Sequence, residues 1–141
     1  MKNSDGVVQS ATDEMEGRIS TGDANLSTNA LYYGGLVNAS HLAKELGHDS
    51  LSNLYYNRSI EMANIIEKHF GYEIAGLKTY RYFEGNTNLR HWICLPLVMG
   101  INNRAEATSK ALLDKLWTEN GVLVELNSDS NSENVFGTEV P

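Results

Sequence analysis

Apolar residues between Leu26 and Leu46 recur at steps of three and four, so that Tyr32, Leu36, Ala39, Ala43 and Leu46 share one helical face. Ser27 or Thr28 stands where a helix of that phase needs a side-chain cap, and Gly47 stands where a left-handed residue would end it. The period then restarts. Asp49 or Ser50 is placed to cap a second helix carrying Leu51, Leu54, Tyr55, Met62, Ile65, Ile66 and Phe70, closed by Gly71. A connection this short predicts that the two helices fold back on each other as an antiparallel αα-hairpin.

From Tyr72 the pattern changes. YEIAGLKTYRYF alternates in part and is rich in aromatic residues, with Gly76 as a turn or bulge, so one or two short strands are predicted. LRHWICLPLVMG is apolar nearly all round, which predicts a helix from Leu89 or Arg90 to Met99 surrounded by protein, with Pro96 either kinking it or marking its first turn. Asn103 and Glu106 form a capping-box-like start for a fourth helix, with Ala105, Leu112, Leu113, Leu116 and Trp117 apolar and Gly121 ending it. VLVEL reads as one strand. The expected fold is mainly α: two αα-hairpins over residues 26–126, short β segments in the connections, a polar loop or arm over 1–25 and a polar loop over 127–141.

Charge narrows the partners. Lys and Arg total 11 against 18 Asp and Glu, a net charge of −7, and no window is basic enough to track phosphates, so neither nucleic acid nor an anionic membrane is an expected partner. The longest apolar run, Trp92 to Ile101, is about half a membrane-spanning helix. The opening MKNSDGVVQS lacks the basic and apolar regions of a signal peptide, so the expectation is a soluble chain with its compartment left open. Cys94, the single cysteine, lies in the apolar run and reads as a small buried hydrophobe. His41, His48, His69 and His91 show no ligand spacing, so no metal and no other cofactor is expected. His48 and His69 fall near helix ends, where an imidazole interacts with the helix dipole, and His91 alone has polar, aromatic neighbours in sequence. Gly34-Gly35 follows no strand and precedes no Gly-Lys-Ser/Thr, so it reads as a site of close helix packing.

Candidate chemistry lies in the irregular segments. Glu14 and Glu16 stand beside Arg18 and Asp23; Glu84 is followed by Asn86, Arg90 and His91 within TYRYFEGNTNLRHW; Glu133 and Glu139 flank Phe136. Glycoside hydrolysis uses a pair of carboxyl groups, one protonated for the leaving oxygen and one ionised as nucleophile or as base for water. Aromatic rings beside them stack on sugar faces, and Asn and Arg bind hydroxyls. The plainer reading is that loop carboxylates are solvated surface groups.

Three blocks, GDANLSTNALYYGGLVNASHLAKELG, GLKTYRYFEGNTNLRHWICLPLVMGINNRAEATSKALL and LWTENGVL, together resemble the catalytic module of bacterial six-hairpin, (α/α)6-toroid glycoside hydrolases, the broad group that holds α-L-rhamnosidase-like enzymes. The resemblance spans roughly residues 14 to 126 and implies helix hairpins in two concentric rings around a sugar-binding funnel. A toroid has six hairpins and this chain supplies about two, so the resemblance implies a segment of such a domain or a truncated relative. It makes carbohydrate the expected ligand, Glu84 and Glu16 the candidates for acid or base, and Tyr82, Asn86, Arg90 and Trp92 the candidates for the funnel wall. The alternative is a non-catalytic helical interaction module that associates through its exposed hairpin faces, its partner being a second copy or the remaining hairpins of a larger domain.

Overall fold

The computed structural model describes residues 5–10, 12 and 20–126, so the polar loop expected over 127–141 and Glu16 lie outside the described residues. The chain is mainly helical, with short antiparallel strand pairs in its connections.

Helix α1 (Leu26–Glu45) is capped by Asn25, whose side chain accepts a hydrogen bond from the Thr28 backbone N–H at 2.8 Å. The cap thus lies two or three residues ahead of the predicted Ser27 or Thr28. Ser27 is instead buried and donates to Asn25 Oδ1, so a residue with a good cap side chain serves as a bracket for the cap itself. Gly47, at φ 76°, ends the helix in the left-handed region as expected, and its N–H reaches Lys44 O at 3.0 Å. Helix α2 (Asp49–Phe70) follows with His48 at the cap position and no side-chain cap bond, so Asp49 and Ser50 both lie inside the helix. The two helices pack along their length, and Ser40 Oγ donates to Ser52 O at 3.0 Å between them.

Gly34 marks the closest approach onto α1. A Cβ built there would lie 2.4 Å from Met99 Sδ, whereas one on Gly35 meets nothing within 4 Å. Of the predicted glycine pair, only the first serves packing.

Strands β1 (Gly71–Ile74) and β2 (Leu77–Tyr80) form an antiparallel hairpin in the register Gly71↔Tyr80 to Ile74↔Leu77. Ala75 and Gly76, both at positive φ, make its two-residue turn. The second half is less regular than predicted. Leu89–Arg90 is a strand, β3, paired with β6 (Glu125–Leu126), rather than the start of a helix. A 3-10 turn (His91–Cys94) leads into a short α3 (Leu95–Val98), with Pro96 in its first turn. This segment is not buried all round: Ile93, Leu95 and Pro96 are, while Val98 is 67% exposed.

Helix α4 (Ala105–Lys110) begins at Arg104 without a side-chain cap bond, so the Asn103–Glu106 box does not form. It continues as a π-helical turn (Ala111–Leu116) that ends where Trp117 becomes extended. Gly121 therefore does not close the helix. It belongs to the pair β4 (Trp117–Thr118) and β5 (Gly121–Val122), and VLVEL is divided between β5 and β6. Leu113 and Trp117, predicted on the apolar face, are 62% and 61% exposed, because the wider π turn rotates the phase that a regular helix would have kept.

The core gathers side chains from every part of the chain: Leu26, Met62, Ile66, Phe70, Tyr80, Tyr82, Leu89, Ile93 and Leu116 are fully buried. The N-terminal segment joins it. Val7 has no exposed surface, and Asn29 holds Val8 through both backbone groups, accepting from its N–H at 2.9 Å and donating to its carbonyl at 3.1 Å. No described helix is long and apolar enough to cross a membrane.

Candidate functional site

The loop from Tyr80 to Asn88 leaves the β-hairpin, crosses in front of the N-terminus of α1 and returns to β3. Its course is fixed by buried polar contacts. Tyr82 is fully buried; its carbonyl accepts from Leu26 N–H at 2.8 Å, and its hydroxyl lies 2.9 Å from Ser27 Oγ. Asn86, 5% exposed, accepts from Tyr82 N–H at 3.2 Å, and its own N–H donates to Phe83 O at 3.1 Å, closing the turn that carries Glu84.

Arg90 is likewise buried. Its guanidinium pairs with Glu125 at 3.2 Å, donates to Ser20 O at 2.7 Å and sits over the Tyr82 and Phe83 rings at 5.1 and 5.3 Å. Three of the four predicted funnel residues, Tyr82, Asn86 and Arg90, are therefore closed off from solvent and hold the loop in place. They line none of the clefts around it. Trp92 is half-buried and tilts against His91; its indole Nε1 is buried with no hydrogen-bond partner among the described residues. His91 contacts Val124 O at 3.2 Å and belongs to the same scaffold.

Glu84 is different. Its side chain is 75% exposed and lies 3.9 Å from Arg81, which is itself fixed by two hydrogen bonds to His69 O at 2.7 and 3.0 Å. Two neighbouring clefts share Glu84 and His69 as a common wall. One, of about 420 Å³, is bounded further by Asp5, Asn64, Lys68 and Arg81. The other, of about 320 Å³, is bounded by Gln9, Asp23, Ala24 and Phe83. Each cleft thus has a second carboxylate besides Glu84 in its lining, Asp5 in the first and Asp23 in the second.

His69 was read from sequence as a helix-end residue, and its position in the last turn of α2 agrees with that. What sequence could not show is that the β-hairpin brings Arg81 and Glu84 back over that helix end. Burial lowers the His69 pKa below the ordinary histidine value; the Glu84 carboxylate opposes the shift, Arg81 adds to it, and Asp5 opposes it again. The same burial favours the neutral, proton-accepting imidazole over the charged one.

Cys94 is half-buried, and desolvation raises its thiol pKa, so it is not an activated nucleophile. No family model matches the chain, and neither a curated protein nor a solved structure matches it.

Proposed function

We propose that this chain is part of a glycoside-hydrolase-type module of toroid design, in which Glu84 acts on, or directly contacts, a bound glycan. The observation that carries this reading is the placement of Glu84: a solvent-open carboxylate on a turn braced by buried Tyr82, Asn86 and Arg90, in the wall of clefts that each carry a second carboxylate. That pairing is what glycoside hydrolysis requires. Asp23, which lines the smaller cleft together with Phe83, is the better second carboxylate, since that cleft also carries an aromatic side chain for a sugar to contact. Glu16, outside the described residues, stays a candidate of the sequence alone. Tyr82, Asn86 and Arg90 become positioning residues.

The test is a panel of aryl glycosides offered to the folded chain, alongside Glu84→Gln and Asp23→Asn. Turnover that falls by about 10²-fold or more in Glu84→Gln supports the role of a proton-transferring carboxylate. A folded wild-type chain that neither hydrolyses nor binds any glycoside sinks it.

A specific observation favours a second reading, the helical interaction module. Leu31, Leu42 and Leu46 lie on one outward stripe of α1 and are 42%, 62% and 64% exposed, with Leu51 and Leu54 also exposed at the start of α2. Under this reading the stripe packs on a second copy, and light scattering coupled to size exclusion should give a mass above the monomer that falls when Leu42 and Leu46 are changed to Glu. A monomer at every concentration tested would count against it.

A further inference from the structure

The two clefts around Glu84 differ in chemistry and share one wall, which bears on what spans them. In the larger lobe, Lys68 and Arg81 balance Asp5 and Glu84, so its formal charge is zero with His69 neutral. Asn64 adds an amide that both donates and accepts there. In the smaller lobe Asp23 and Glu84 face Gln9, Ala24 and Phe83, and no described Lys or Arg lines it. The first lobe is a hydrogen-bonding surface of mixed charge, and the second is a ring face with an acidic edge.

We infer that the ligand of this site is a neutral oligosaccharide at least two sugar units long, one unit in each lobe, with the linkage between them lying over Glu84 and His69. The inference rests on the glycan reading above and adds the charge and the length of the ligand. Length follows from volume: the lobes, about 420 and 320 Å³, each sit near the lower end of the roughly 300–1,000 Å³ typical of a small-molecule pocket, so each suits a single ring. Neutrality follows from charge. A uronate or sulfate in the smaller lobe would meet Asp23 and Glu84 without a lining cation, in a chain whose net charge is −7. The shared wall follows from His69 and Glu84 lining both lobes, which places an imidazole and a carboxylate at the junction rather than at either end.

The experiment is calorimetric titration of the full chain with glucose, galactose and mannose, with neutral disaccharides built from them, and with an aldobiouronic acid. Asn64→Ala serves as the larger-lobe variant and Gln9→Ala as the smaller-lobe variant, both at exposed positions where the fold does not depend on the side chain. The expected result is a neutral disaccharide that binds about tenfold or more tighter than either of its units, an advantage reduced by each variant, with the aldobiouronic acid weaker than its neutral counterpart. A monosaccharide bound as tightly as the disaccharide overturns the proposal, as does tighter binding of the acid or insensitivity to one of the two lobe variants. If in those cases Glu84→Gln still abolishes binding, the glycan reading stands and the two-lobe ligand alone falls; a folded chain that binds no sugar overturns both.

Discussion

The α1–α2 hairpin and the segment from Tyr80 to Leu126 solve the same problem in opposite ways. The hairpin consists of 20- and 22-residue helices whose backbone groups bond within each helix, and it uses few polar side-chain ties, chiefly Ser40 to Ser52 and the exposed pair Lys44–Asp49. The other segment has strands of two residues, a 3-10 turn, a four-residue helix and a π turn. Apart from α4 and the π turn that continues it, its backbone cannot bond periodically, so side chains complete the pairing: Asn86 to Tyr82 N–H, Arg90 to Ser20 O and His91 to Val124 O, with Asn88 tied to the Glu125 carboxylate. Regularity leaves a helix face free for a partner, whereas irregularity spends polar residues on scaffolding. Glu84, left out of that scaffold and exposed on it, stands out for this reason.

If that contrast is right, the largest effect should come from removing a scaffold side chain in the irregular half. Arg90→Ala leaves the partly buried Glu125 without its counter-charge, frees Ser20 O and removes the cation from over Tyr82 and Phe83, so it should cost about 3–5 kcal/mol, read as a lowered urea midpoint. Arg90→Lys keeps the charge but loses the planar fork, and should recover only part of that loss. A cost no larger than that of an exposed substitution such as Lys110→Ala would show that the loop does not depend on Arg90.

This division also explains what could be read from the sequence. Periodic helices announce themselves, so α1, α2 and their glycine-ended turn were legible from Tyr32, Leu36, Met62, Ile66 and Gly47, with the caps displaced to Asn25 and His48. The β-hairpin was legible from its alternation and Gly76. Beyond Asn88 the apolar run and the Leu112–Leu116 pattern suggested two helices, but Leu89–Arg90 pairs with Glu125–Leu126 across 34 intervening residues, a contact no local period encodes. For the candidate site, Glu84 is legible as a candidate because it sits among aromatics and amides in sequence. His69, Asp5 and Asp23 were not singled out for it, because the hairpin return and the N-terminal segment bring them together only in three dimensions.

A smaller effect should appear where the two regions meet. Tyr80 is fully buried at the end of β2; its hydroxyl donates to Glu67 of α2, which also pairs with Arg104 at 3.0 Å at the start of α4. Desolvation, reinforced by Glu67, raises the Tyr80 pKa well above the ordinary tyrosine value. A raised pKa means the folded state holds its proton where the unfolded state loses it, so the stabilisation is complete below about pH 10 and declines as pH rises above it. Urea midpoints measured from pH 8 to 11 should hold until about pH 10 and fall above it, and Tyr80→Phe should flatten the fall while costing about 1–2 kcal/mol at neutral pH for the lost hydroxyl bond. An unchanged alkaline slope in Tyr80→Phe would remove Tyr80 as its origin.

The smallest effect tests the regular half at its one tight contact. Gly35→Ala meets open space on an exposed helix position and should stabilise the chain by about 1 kcal/mol, the difference in helix propensity. Gly34→Ala gains the same propensity but drives a methyl to 2.4 Å from Met99 Sδ, so Met99 must move, and the variant should fall below Gly35→Ala by about 1 kcal/mol or more. Adding Met99→Ala removes the obstructing sulfur, so the Gly34→Ala change measured in that background should approach the Gly35→Ala value. The double-mutant cycle isolates this contact because both single changes act through it. A Gly34→Ala gain equal to that of Gly35→Ala with Met99 in place would mean that the Met99 side chain swings aside without cost and that the contact does not require glycine at 34.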